Sequence, residues 1–103
     1  MKRLAYVCVL VALGPAVHAE DISGKEVFDH YCTWCHGSSE GPGSMQLSRT
    51  RGKQQALLTE RSDLTRSYVE YVVRHGLKSM PPFAPSDLTD AKLEALAAYL
   101  ARK

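Results

Sequence analysis

The chain has 103 residues, 13 of them Lys or Arg and 11 Asp or Glu, for a formal charge of +2; this is enough for one small domain and not for two. Lys2 and Arg3 account for the whole excess, so residues 20–103 are formally neutral, which argues against nucleic acid or an anionic membrane surface as partner. With two Phe and one Trp the apolar core is limited, and domains of this size need a staple such as disulfides, a metal or a cofactor.

Residues 1–19 read as a cleaved secretory signal. Lys2 and Arg3 form the basic start, residues 4–13 the apolar run, Gly14-Pro15 a break, and Val17-His18-Ala19 a small-residue cleavage site. The run is too short to span a bilayer as a helix. Cleavage leaves a single domain over 20–103, without a membrane span, in the periplasm. It also removes Cys8, so Cys32 and Cys35 are the remaining thiols and no disulfide framework is left.

Ser23-Gly24-Lys25-Glu26 has the form of a capping box, and Val27, Phe28 and Tyr31 follow at helical spacing. This first helix runs into Cys32-Thr33-Trp34-Cys35-His36, the attachment pattern of a c-type haem. On a helical turn, residues i and i+3 share a face, so both sulfurs can reach the two vinyl groups of one porphyrin. His36 then stands where an imidazole can ligate the iron. A thiol–disulfide couple would expect a surrounding βαβ pattern, which is missing. A structural zinc site takes ligand pairs from separate stretches, whereas His30, Cys32, Cys35 and His36 lie within seven residues. His30 is expected to be a surface or packing residue.

Residues 37–52, rich in Gly and Ser around Gly41-Pro42-Gly43, read as a loop. Arg49, Arg51 and Lys53 are either donors to the haem propionates or a solvated basic cluster. Met45 is expected to pack. Residues 53–61 read as a short helix, and either Asp63 or Thr65 caps the next one. Tyr68, Val69, Val72 and Val73 form its apolar stripe, Arg74 and His75 occupy its last turn, and Gly76 stops it. His75 is a weaker candidate for the second axial ligand. The stronger one is Met80, in Lys78-Ser79-Met80-Pro81-Pro82-Phe83, where two prolines stiffen a non-helical segment. Thr89 caps a final helix, with Leu88 stapled onto Leu93 and an apolar stripe of Leu93, Leu96, Ala97 and Leu100. Ala97 and Ala98 admit close approach of another helix, most plausibly the first.

With these features placed, residues 20–103 resemble class I cytochromes c. The resemblance implies a small all-α fold of about four short helices around one covalent haem c, with the first and last helices crossing near it. It implies thioether bonds at Cys32 and Cys35 and His36 and Met80 as axial ligands. More narrowly, residues 57–64, residues 71–76 and Met80-Pro81-Pro82-Phe83 are similar to the small cytochrome subunits of flavin-containing hydroxylases acting on 4-alkylphenols, the p-cresol methylhydroxylase and eugenol hydroxylase type. That implies periplasmic electron transfer rather than catalysis. The electrons come from a flavoprotein partner and pass to a soluble acceptor. Trp34, Met45, Met80, Pro81 and Phe83 are the expected docking group. A free shuttle to a terminal oxidase or reductase is the alternative, and a haem enzyme or gas sensor with a displaceable Met80 a more distant one.

Overall fold

The computed structural model describes Gly14 and residues 21–102; apart from Gly14, the expected signal segment and its cleavage site lie outside the described residues. Five α-helices follow in order, α1 Gly24–Tyr31, α2 Thr33–His36, α3 Pro42–Arg51, α4 Arg66–His75 and α5 Asp90–Leu100. Two 3-10 turns, Lys53–Gln55 and Leu58–Glu60, link α3 to α4. Among the described residues there is no strand, only one isolated bridge between Leu77 and Met80, and no helix is long and apolar enough to cross a membrane.

Three helix starts are set by side-chain caps. Ser23 accepts from the Glu26 N–H, Thr65 from that of Tyr68 and Thr89 from that of Lys92, each satisfying one of the orphan donors of a first turn. Thr65, not Asp63, is thus the cap of α4. The apolar stripes then meet in one core: Val27 and Phe28 of α1, Val69 and Val73 of α4, and Leu93, Leu96, Ala97 and Leu100 of α5, with Leu64 and Leu88 from the connections.

Helices α1 and α5 cross at very short range, and the reason is Gly24. A Cβ there would lie 2.6 Å from Tyr99 Cβ and collide with the Ala95 carbonyl. The close approach thus uses a glycine on α1 as well as small residues on α5. Ala97, fully buried, serves the core.

Two expectations fail between residues 37 and 61. Residues 42–51 are helix α3, not loop. Gly41 is its extended N-cap and Pro42 its first residue, where a missing N–H costs nothing and the fixed φ is already helical. Gly52 ends it at φ +95°. Residues 53–61 form no continuous helix; the two 3-10 turns are separated by Ala56 and Leu57, and Leu57 is extended.

Candidate functional site

The Cys-x-x-Cys-His stretch is one tight turn. The Cys32 N–H continues α1 by donating to the Phe28 carbonyl at 2.9 Å, and the Cys32 carbonyl in turn accepts from Cys35 (3.2 Å) and His36 (2.9 Å). Thr33 Oγ1 adds a bond to the Phe28 carbonyl at 3.3 Å. These bonds put both sulfurs and the imidazole on the wall of a cavity of about 390 Å³. Burial, with the neighbouring Cys35, pushes the Cys32 thiol up to about 11, the wrong direction for a reactive thiolate couple.

His36 is half-buried, and burial lowers its pKa, favouring the neutral imidazole that binds metals. Its ring lies against Gly43 of α3: a Cβ at Gly43 would sit 2.6 Å from His36 Cε1 and 2.9 Å from Nδ1. Gly43 is therefore the cradle of the imidazole, a role that its position in a Gly-Pro-Gly run did not reveal. His36 Nδ1 is buried without a protein partner.

Met80 lines the same cavity, brought there by the way α4 ends. Gly76 takes φ +74°, and a Cβ there would meet the Met80 carbonyl at 2.6 Å, so only glycine lets the chain fold back so closely. Leu77 and Met80 then exchange backbone bonds of 3.1 and 2.9 Å around Lys78, which holds φ +53°. The Phe83 N–H reaches the Val73 carbonyl at 2.8 Å, satisfying one of the carbonyls that the last turn of a helix leaves open.

The other candidates separate cleanly. Met45 is 40% exposed and does not line the cavity, so it is neither a packing residue nor a second sulfur there. His75 is exposed, stacks on Tyr71 at 4.2 Å between ring centroids, and lies 2.8 Å through Nδ1 from the Tyr71 carbonyl. His30 is exposed, edge-on to Tyr31. Arg49 and Arg51 are both exposed, but only Arg51 lines the cavity; residues two apart on a helix point to different sides. Of the expected docking group, Trp34 is 91% exposed. Phe83 instead packs edge-on against Tyr31, ring centroids 6.3 Å apart, beside the core.

Arg61 is the site residue that sequence reasoning missed. It is 7% exposed, lines the cavity, and donates through Nε and Nη2 to the two Asp63 oxygens at 2.8 and 2.7 Å. That hydrogen-bonded guanidinium holds the Asp63 carboxyl down to about 2. A depressed folded value contributes stability that is complete above the unfolded carboxylate pKa of about 3.9 and disappears as pH falls through the folded value. Denaturant unfolding of the holoprotein at a series of pH values should therefore show the parent more stable than Asp63→Asn by a constant margin above about pH 5. The margin should close toward pH 2, and one that persists there would remove this ion pair from the acid response.

The cavity suits a haem on its own chemistry. Leu58, Leu64, Val69, Leu96 and Leu100 offer an apolar wall for a flat macrocycle, Arg51 and Arg61 offer cations for its carboxylates, and imidazole and thioether supply one nitrogen and one sulfur donor. Gly43 seats the Cε1–Nδ1 edge of the His36 ring, which leaves Nε2 as the nitrogen available for ligation.

Comparison with known proteins points the same way. The family model described as cytochrome c oxidase, cbb3-type, subunit III matches residues 19–100. The 4-cresol dehydrogenase [hydroxylating] cytochrome c subunit of Pseudomonas putida is 31% identical over 93 residues, covering 89% of this chain and 71% of that one. A chain in the crystal structure of p-cresol methylhydroxylase with substrate bound superposes with a TM-score of 0.59 at 32% identity, covering 77% of this chain and 89% of the other. A second crystal structure of that enzyme gives the same score and identity, with 90% of its chain covered. A helical fold, a Cys-x-x-Cys-His turn and a methionine sulfur on one cavity, and these matches together place the chain in the cytochrome c family.

Proposed function

We propose that this chain is a periplasmic electron-transfer protein. It carries one haem c bound through Cys32 and Cys35, with His36 and Met80 as the two axial ligands, and acts as the cytochrome subunit of a flavoprotein that oxidises a 4-alkylphenol-type substrate. The observation that carries the reading is the gathering of Cys32, Cys35, His36 and Met80 on one cavity from two separate stretches of chain. The bound haem supplies a one-electron ferric/ferrous couple. The protein residues do the rest. Cys32 and Cys35 would retain the cofactor, Gly43 seats the His36 imidazole, and the Gly76–Phe83 turn presents Met80. With His36 and Met80 both holding the iron, the site would be closed to oxygen and peroxide and suited to outer-sphere exchange. A thioether opposite imidazole also raises the reduction potential relative to two imidazoles. Arg51 and Arg61 are assigned to the propionates, Arg61 kept charged and oriented by Asp63. The 4-cresol relatives support the flavoprotein as electron donor, with a soluble protein as acceptor.

The test is an optical spectrum of the purified holoprotein, oxidised and reduced, with and without carbon monoxide. It is followed by mixing with a 4-alkylphenol-oxidising flavoprotein and 4-cresol. The weak sulfur-to-iron charge-transfer band, no change with carbon monoxide, and prompt reduction in the mixture are expected. Ready carbon monoxide binding would replace electron transfer with a sensor or enzyme reading, and reduction no faster than without flavoprotein would remove that partner.

A further inference from the structure

Arg74 lies in the last turn of α4, where any cation would favour the helix dipole. Its actual partners are more specific. Nη1 donates to the Phe83 carbonyl at 3.1 Å and to the Leu88 carbonyl at 2.8 Å, and Nη2 pairs with Asp90 in the first turn of α5. One planar guanidinium thus ties the C-terminal end of α4 to both ends of the segment that joins the Met80 turn to α5. That segment contains Pro81, Pro82 and Pro85, none of which can donate a backbone bond. Its tethers to α4 are therefore the Phe83 N–H bond to Val73 and the carbonyls that Arg74 collects.

We propose that Arg74 is a positioning residue for the sulfur ligand: it sets how often Met80 leaves the iron without touching either. This rests on the reading of Met80 as axial ligand given above. The fork does the work and not the charge. Asp90 is 87% exposed while the Arg74 side chain is 18% exposed, and an ion pair with so wet a partner adds little. Both carbonyl bonds come from one nitrogen, Nη1, whose two N–H directions are fixed by the guanidinium plane; an ammonium has donors enough but holds them on a flexible stem without that fixed geometry. When the two tethered carbonyls are released, the population of the methionine-off form rises. The apparent affinity for an external ligand that needs that form rises in proportion.

The experiment is imidazole binding to the ferric holoprotein under native conditions, followed through loss of the sulfur-to-iron band, for the parent, Arg74→Gln, Arg74→Lys and Asp90→Asn. Arg74→Gln should bind imidazole about tenfold more tightly, Arg74→Lys by a smaller but clear factor, and Asp90→Asn within about twofold of the parent. Parent-like imidazole affinity in Arg74→Lys or Arg74→Gln would overturn the proposal, even if their unfolding midpoints fall, because a purely structural role moves only the midpoint. Should Arg74→Gln fail to fold, Arg74→Lys decides by the same criterion. Equal effects of Asp90→Asn and Arg74→Gln would also overturn it, by making the ion pair the cause. A parent protein without the sulfur-to-iron band would signal instead that Met80 ligation itself is wrong.

Discussion

Replacing Met80 with alanine should convert a closed haem site into an open one. Met45 is exposed off the cavity, His75 is stacked on Tyr71, and Met80 alone of these three lines the cavity with His36. Neither Met45 nor His75 lies on the cavity to take over the vacated position. The expected results are loss of the sulfur-to-iron band, carbon monoxide binding by the reduced protein, and a lower reduction potential. The fall should be on the order of a tenth of a volt or more, within the roughly 0.8 V that axial ligands command. The fold should survive. Met80 is only half-buried, so the packing loss stays at or below the low end of the about 2–5 kcal/mol seen for fully buried Met→Ala changes. Optical titration with carbon monoxide and a redox titration read both effects. A variant with the parent's spectrum and potential would show that the sulfur is not on the iron.

Gly24→Ala should destabilise the protein, against the usual sign. At an open helical position this change stabilises by about 0.5–1 kcal/mol, because alanine loses less conformational freedom on folding. Here the new Cβ would lie 2.6 Å from Tyr99 Cβ and against the Ala95 carbonyl, both part of α5. Neither is the flexible end of a side chain, so the helices must separate. Overpacking of this kind costs about 1–3 kcal/mol, and Gly24→Val should exceed Gly24→Ala. A lower denaturation midpoint with an unchanged slope is the expected readout. A raised midpoint would mean that the first and last helices do not cross at this residue.

How far the sequence could be read depended on whether the deciding interaction was local. The Ser23 and Thr89 caps, the Gly76 stop and the Leu93, Leu96, Ala97 and Leu100 stripe involve partners within a few residues, and all stand where periodicity and cap chemistry put them. Helix α3 is hidden in the composition for a specific reason: Gly41, Pro42 and Gly43 read as breakers, whereas Pro at a first helical position is a start signal. With no apolar stripe in residues 42–51 to offset that composition, periodicity offered no correction.

The expected chemistry is legible in the chain alone. Cys32, Cys35 and His36 have the spacing of a c-type haem attachment pattern, and on a helical turn the two thiols share one face. The tertiary structure alone decided which of two sulfurs, two spare histidines and several cations share a cavity with that turn. Met80 is on the cavity and Met45 off it, Arg51 on its lining and Arg49 not, Arg61 buried against Asp63, and Gly43 empty so that an imidazole can occupy its place. Those outcomes depend on contacts between α2, α3, α4 and their connections. Burial and closeness between such stretches are set by packing in three dimensions, to which no spacing along the chain corresponds.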